Sequence, residues 1–582
     1  MKKKSIKKAL ISLSLLTLSL SSCSLGNIIS NKTQVEANNN TYTFDDIEIT
    51  SASDASSNEI NITNAFSITT EDGQYDVSDN IYTITTAGTY VLSGLLSEGQ
   101  IRVTATEDDK VKLVLNNCKI TNSNKSPIYI DSASKVIINT EDSSYNEIID
   151  NRSSQTSYQE DTGNAAIYSL VDLDISGYGS LVVYGYYNNG IDTNDDLSIK
   201  NITLKVEAYN NSLKGNDSVE IESGEIIAVS TAGDAIKTSS SNISSKGNQQ
   251  GNVLISGGNI MLYAADNGID SSYDVIINED STNDTSLSIY TASYSKYTKV
   301  LGQSLSGIKA SNSIAIDEGE ISISTKADGL HANRGDALEN GSTGLGNVVV
   351  NGGTCYIKAT DDGIHADYIT KITGGTVDIL TSEEGIEGSQ IEVSGGYTMV
   401  NATDDGLNAN GKYLQGLITV SGGVLDVTVS SGDTDGIDVN GSYKQIAGLV
   451  ISRTPNNDNS GNMAAIDADS SISVTGGTFI SVGSTANAPT GTNVVIFGQA
   501  SQSFGGFGGR GGSSTSSSKS FTSGTYSVLD SNSNEIASFE LDKTYNGMWI
   551  ASSNFQTNET YTISNGQTTY TWQQTSSKVT VS

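Results

Sequence analysis

Residues 346–367 read GNVVVNGGTCYIKATDDGIHAD, and residues 251–270 read GNVLISGGNIMLYAADNGID. Both pass through a β-branched stretch, a Gly-Gly pair, a second alternating stretch and a polar turn, and then reach an aliphatic residue. Gly-Gly supplies the backbone freedom of a sharp bend. The alternation has the two-residue period of a strand, not the longer period of a helix. The frame returns in ISGGNI, VNGGTC, ITGGTV, VSGGYT, VSGGVL and VTGGTF, so the chain is a repeat array.

The aliphatic residue after each polar turn sets the period. It is Ile128, Ile167, Ile191, Leu213, Ile236, Ile269, Ile308, Leu330, Ile364, Ile386, Leu407, Ile437 and Ile466. Half of the separations are 21 to 24 residues and the rest are 29 to 39, which is a constant unit with insertions. A unit of about 22 residues holding two or three short strands is one coil of a parallel β-helix, stacked on the next at about 4.8 Å. The Ile/Leu positions then form an interior ladder. A β-propeller needs blades of about 40 residues and does not give this minimum spacing. The expected fold is all-β, a parallel β-helix of about 13 or more coils over residues 46–500. Insertions after Ile236, Ile269 and Leu330 are expected to project from one edge and wall a groove.

The 582 residues include 66 acids against 32 bases, a net charge of −34, which argues against nucleic acid and anionic membrane surfaces as partners and is compatible with cation binding. The start, MKKKSIKKALISLSLLTLSLSSCSLG, has the basic, apolar and small-residue regions of a secretory signal, and Leu20-Ser21-Ser22-Cys23 looks like a lipobox. Residues 1–23 are therefore expected to be a signal ending in a lipidated Cys23, followed by a flexible stalk over 24–45. The lipid would be the only membrane contact of an extracellular, cell-surface protein. Residues 501–522 read as a Gly/Ser-rich loop, and 523–582, with Trp549 and Trp572, as a small β module that caps the solenoid. Cys118 and Cys355 lie far apart with no CxxC, so buried thiols are expected, not a disulfide framework or a zinc site. Nothing in the pattern asks for a second chain, and a monomer is expected.

The residue two before the ladder aliphatic is Asp328, Asp362, Glu384, Asp405 and Asp435 on five consecutive coils. Asp361, Glu383 and Asp404 stand beside three of these, and Asp433 is close to the fifth. Stacked at about 4.8 Å, neighbouring carboxylates repel by about 1 kcal/mol in water and about 3 kcal/mol at an effective dielectric near 20. Lys and Arg are scarce at these turns, and Ca²⁺, which takes six to eight oxygen ligands, is the natural counterion. The competing reading is turn chemistry: Asp and Asn bond their own backbone and tolerate the left-handed region, and Asn189, Asn211, Asp234 and Asn267 hold the same position in earlier coils.

The residue after each ladder position points outward by strand alternation. It runs Asp192, Lys214, Lys237, Asp270, Lys309, His331, His365, Glu387, Asn408, Asp438 and Asp467, a polar stripe suited to sugar hydroxyls. His331, His365, Glu387, Asn408 and Asp438, with Tyr368 and Tyr413, are the candidate carbohydrate contacts, and Tyr356, Tyr397 and Tyr443 are further candidate stacking rings. The two histidines are also placed to hold a transition metal or to act as acid and base.

GTYVLSGLLSEGQIRVTA (88–105), KVKLVLNNCKITNSNKSPIYIDSASKVIINT (110–140), the GDAIKT, ADGLHA and TDDGIHAD units and the closing SGTYSVLDSNSNEIASFELDKTYNGMWIAS (523–552) resemble the bacterial carbohydrate-binding β-helix domain family. The likeness spans roughly residues 45 to 560. It implies a right-handed parallel β-helix similar to pectate lyases, bound calcium, and non-catalytic binding of plant cell-wall polysaccharide, cellulose or acidic pectin-type chains, at the cell surface. Its acidic turns map onto Asp362, Glu384, Asp404 and Asp405. Two other functions compete. A uronate lyase would draw its base from Lys309, Lys358, Lys371 or Arg334, with a paired-carboxylate hydrolase as a variant. An adhesin would need no glycan specificity.

Overall fold

A computed structural model describes residues 62–153, 162–291, 304–334, 338, 341–430, 432, 434–456, 463–498 and 519–581. The signal segment, Cys23, the stalk, Asp433 and most of the Gly/Ser-rich loop lie outside the described residues.

Each coil contributes three strands, and like strands of successive coils pair in parallel. Sheet A runs from Ile81–Ile84 and Gln100–Thr104 through Ile128–Ser132 to Ile437–Val439, sheet B from the first half of Lys110–Asn122 through Lys135–Thr140 to Ser471–Val474, and sheet C from the second half of Lys110–Asn122 through Tyr145–Asp150 to Thr478–Val482. The result is a parallel β-helix. In sheet A the ladder residues face one another without a slip, from Ile128 against Ile167 to Leu407 against Ile437. Ile466 continues the column through Asp467 N–H donating to the Ile437 carbonyl. Every member is fully buried, each burial worth about 1.5–3 kcal/mol of transfer free energy. The inward residues of sheets B and C complete one continuous core.

Two kinds of glycine make the stacking possible. The second glycine of a Gly-Gly pair takes a left-handed conformation, as at Gly353 (φ 70°), where other residues are strained. The glycine before the ladder aliphatic serves a different purpose. A methyl group on Gly363 would lie 2.7 Å from the Gly385 carbonyl oxygen of the next coil. Asp-Gly at this place is a close-approach device and not a left-handed turn.

The long insertions do not leave from one edge, contrary to the sequence expectation. Residues 239–251 and 333–346 leave at the corner between sheets A and B, 151–164, 292–307 and 454–465 at the corner between C and A, and 278–284 between B and C. Sheet A is thus bordered on both sides by corners that carry long excursions. Periodicity located the insertions in the coil but could not tell which of three corners each one occupies.

At the C-terminal end, Met548–Ser552 pairs antiparallel with Thr478–Val482, the last strand of sheet C, and with Val494–Phe497. A four-stranded antiparallel sheet of Glu535–Leu541, Gly524–Leu529, Thr560–Ser564 and Thr569–Gln573 shares an apolar cluster around Phe497, Phe521 and Trp572 with Leu449, Ile451, Ile480 and Val482 of the last sheet C strands. Met548–Ser552 occupies backbone groups that Thr478–Val482 would otherwise present to other chains.

Ile364→Ala should lower the unfolding free energy by about 2–5 kcal/mol, because neighbouring coils cannot close on the void. Denaturant unfolding checks this, and a loss below about 0.5 kcal/mol would contradict a tightly packed ladder.

Candidate functional site

The acidic column stands at the corner between sheets C and A, and its first role is mechanical. Asn189 Oδ1 accepts hydrogen bonds from the backbone and side-chain amides of Asn211 at 3.1 and 3.2 Å. Asn211 Oδ1 accepts from Asp234 N at 3.1 Å, and Asp234 Oδ1 from Asn267 N and Nδ2 at 3.0 and 2.9 Å. The pattern returns where Asp328 Oδ1 accepts from Asp362 N at 3.1 Å and Asp405 Oδ1 from Asp435 N at 2.6 Å. Each of these side chains clamps the coil above it and does not close its own turn, so the local-turn reading is corrected. Such a bond contributes about 0.5–1.5 kcal/mol net.

The second carboxylate oxygen reaches the outward stripe of sheet A. Asp234 Oδ2 lies 2.8 Å from Lys237 Nζ, which also meets Asp270 at 2.5 Å, and Lys214 Nζ lies 3.3 Å from Asp192. Asp328 Oδ2 contacts His331 Nδ1, and Asp362 Oδ2 lies 2.7 Å from His365 Nδ1. The imidazoles of His331 and His365 stack with centroids 4.6 Å apart. The column therefore carries cations of its own, supplied by the stripe and not by the turns where the sequence showed none. That supply stops at His365: the stripe continues as Glu387, Asn408, Asp438 and Asp467.

The electrostatics follow this division. Burial disfavours the His365 imidazolium, but Asp362, Asp367 and Glu387 outweigh it and push its pKa up to about 12. Burial works against the Glu387 carboxylate too, and His365 reverses the shift and holds it below the usual range; His365 lowers Asp367 in the same way. Where no cation stands close, burial and like charges prevail. Glu384 rises to about 8 despite the amide of Asn408, which donates to both its oxygens at 3.1 Å, and Asp435 rises to about 7. Asp438 rises for the same reasons, burial and then Asp467. Asp362 rises through burial despite the His365 hydrogen bond.

Ligand atoms of Asp362, Glu384 and Glu387 lie within 4.8 Å of one another, as do those of Asp328, Asp362 and His365. The first set is all oxygen, the donor type that Ca²⁺ takes. Beside it the Asn408 Oδ1 is buried and has no hydrogen-bond partner. The second set is closed by the charged His365. Asp361 and Glu383 are exposed at the rim and do not enter the column, while Asp404 and Asp405 are half-buried one coil higher.

Tyr368 and Tyr413 share a cation at the other border of sheet A. The Arg334 guanidinium sits over both rings, 4.3 and 5.5 Å from their centroids, and Lys412 Nζ lies 4.9 Å from Tyr413 and 3.2 Å from Asp367. The Arg334 amide donates to Asp367 Oδ2 at 2.8 Å. This cluster was not legible in the sequence, because Arg334 and Lys412 come from excursions of unrelated length. Of the remaining tyrosines, Tyr443 is fully buried, which removes it as a sugar platform, and Tyr356 and Tyr397 belong to sheet C. The four bases considered for lyase chemistry are also dispersed: Lys309 is on sheet A, Arg334 at its border, Lys358 on sheet C, and Lys371 on sheet B, 3.3 Å from Glu392. A third acidic group, Asp172, Asp195 and Asp196, stands at the corner between A and B. Its sequence signal was Asp172, Asp195 and Asp217, each just ahead of a sheet B strand on successive coils.

Comparison with known proteins gives a family to this architecture. A family profile described as "Carbohydrate-binding domain-containing protein" matches residues 78–345 and 335–433. A protein of that description from Acetivibrio thermocellus is 41% identical over 132 residues, which is 22% of this chain and 46% of the relative, so the match spans about half of the relative's length. A solved structure, a polysaccharide lyase-like protein from C. thermocellum, is 36% identical, covers 42% of this chain and 90% of its own, and superposes with a TM-score of 0.36. With its profile matched over more than half of its length, the chain belongs to the carbohydrate-binding domain-containing protein family.

Proposed function

We propose that the outer face of sheet A binds polysaccharide without cleaving it. The observation that carries this reading is the unbroken outward stripe from Asp192 to Asp467, half-buried for most of its length and flanked by the Arg334–Tyr368–Tyr413–Lys412 cluster. Its ten coil-to-coil steps from Asp192 to Asp467 extend about 50 Å at about 4.8 Å each, enough for a polymer. Carboxylate, ammonium and imidazole side chains following one another along one line, with the Asn408 amide near its end, suit sugar hydroxyls, and tyrosine faces suit the apolar face of a sugar ring. Plant cell-wall chains, cellulose or pectin-type, are the class implied. Arg334 and Lys412 favour a uronate carboxylate, since the guanidinium fork matches one in two bonds.

Calcium fits this reading at Asp362, Glu384, Glu387 and the Asn408 Oδ1. The ion would neutralise the part of the column that lacks its own cation and would link it to acidic groups of the glycan. A lipid on Cys23 would hold the solenoid, as a monomer, at the cell surface. Cys23→Ser should release the protein into the medium, and an unchanged cell-bound fraction would count against the anchor.

Retention on polygalacturonate and on cellulose, with calcium or with a chelator, tests the binding. Uronate retention should fall on chelation and should fall roughly tenfold in the Arg334→Ala, Lys412→Ala double variant. Retention on neither polymer removes the proposal, and binding only to whole cells would favour an adhesin. Absorbance from unsaturated uronate products that vanishes in an Arg334 variant would replace binding with lyase chemistry.

The titration of the column gives a separate test. Glu384 and Asp435 bind protons more tightly in the folded protein than in the unfolded chain, so the metal-free protein should lose stability as pH rises from about 5 to about 8. His365 acts in the same direction above its ordinary pKa, since its stabilisation is lost as pH rises toward about 12. Calcium competes with those protons, so the rise in melting temperature on adding it should be larger at pH 8 than at pH 5. Melting curves at both pH values, repeated with Glu384→Gln, check this; no response to calcium at either pH refutes the ion assignment.

A further inference from the structure

The corner between sheets B and C holds the feature that sheet A does not explain. A shallow depression of about 510 Å³ runs along it, with Tyr178 at its N-terminal end and Asn283 at the other. Tyr178 is 76% exposed, the most exposed large apolar side chain among the described residues. It lies between two glycines whose places tolerate nothing larger: a methyl on Gly177 or Gly179 would come within 2.3 Å of a backbone oxygen of the coil below. That coil holds the turn tightly, and the ring is its one projecting side chain.

The floor is a register row. Thr203 faces Glu225, Glu225 faces Asn259, and Asn259 faces Ser286, one residue per coil at the first or second position of each sheet C strand. The row offers a hydroxyl, a carboxylate, an amide and a hydroxyl at steps of about 4.8 Å. The Asn259 amide donates to the Glu225 carboxylate at 2.9 Å, which fixes both side chains in the row. From the coil of Tyr178 to the coil of Asn283 is four steps, or about 19 Å.

We propose that this corner is a second glycan subsite, with Tyr178 as the stacking platform and the Thr203–Glu225–Asn259–Ser286 row as the hydroxyl-binding line. It rests on the carbohydrate-binding reading but stands on a different face of the solenoid. The lining contains Glu225 and Asp284 and no Lys or Arg. An acidic polymer meets only like charge here, so the ligand is a neutral hexose polymer. The two faces thereby differ in kind: cations on tyrosine rings border sheet A, and an uncovered tyrosine over acids and amides defines this corner.

Insoluble cellulose as the neutral polymer and polygalacturonate beads as the acidic one separate the two sites. In the full-length protein, Tyr178→Ala should weaken retention on cellulose by roughly fivefold and leave retention on polygalacturonate and the melting temperature unchanged. Asn259→Ala should act in the same direction. The Arg334→Ala, Lys412→Ala variant should show the reverse selectivity. Cellulose retention that is indifferent to both Tyr178→Ala and Asn259→Ala overturns the subsite, as does equal loss of both polymers in either variant at an unchanged melting temperature. Failure of the unaltered protein to bind any glycan removes the function reading itself, a result distinct from these.

Discussion

The close approach of one coil to the next governs the rest of this molecule. Parallel pairing sets the step at about 4.8 Å, and at the corner entering sheet A the backbones come so near that Gly363 and Gly406 have no room for a side-chain carbon beneath the carbonyls of Gly385 and Gly436. The contact fixes the register of the whole stack. Once the register is fixed, every residue type is repeated vertically, and whatever one coil places on its surface its neighbours place directly above and below.

Repetition is favourable for Ile and Leu, which gain burial at each step, and costly for carboxylates, which gain repulsion. The chain answers the cost in two ways. One oxygen of Asp234, Asp328 and Asp405 is used as a clamp on the next backbone amide, that of Asn267, Asp362 and Asp435. The other is offset by a cation from the stripe, Lys237 for Asp234 and His365 for Asp362. Both devices are local, so the compensation is uneven along the axis. The upper coils, with Glu384, Asp435 and Asp438, keep the raised proton affinity of an acidic column without enough positive charge.

The ladder, the strand type and the acidic column were legible because each depends on a residue recurring at a constant offset from Ile364 and its equivalents. The rest depends on relations that period does not encode. The Oδ1 of Asp234 or Asp405 could face its own turn or the next coil, and the choice is made by how closely the backbones stack. Lys237 and His365 were visible as stripe residues, but their reach back to Asp234 and Asp362 depends on side-chain direction. Arg334 meets Tyr413 across two excursions of different length, with no shared spacing to reveal it. Tyr443 and Tyr413 look alike in sequence; one faces the core from sheet B and the other rides on an excursion.

The outward line of sheet A also has a polarity that no single coil shows. Below Asp192 the same register position is held by Tyr168, Tyr129 and Arg102, with the guanidinium 4.9 Å from the Tyr129 ring centroid. The line therefore begins aromatic and basic, passes through paired Asp and Lys, and ends acidic. A neutral chain laid along it meets hydrogen-bonding groups throughout. A uniformly acidic chain would meet attraction at Lys309, a cation already paired to Asp131 at Arg102, and repulsion from Glu387 onward, so it would follow the full length only where the acidic end is bridged by a cation. The same carboxylates that strain the stack would thus set the condition for an acidic polymer on this face, and that condition follows from placing acidic turns one above another.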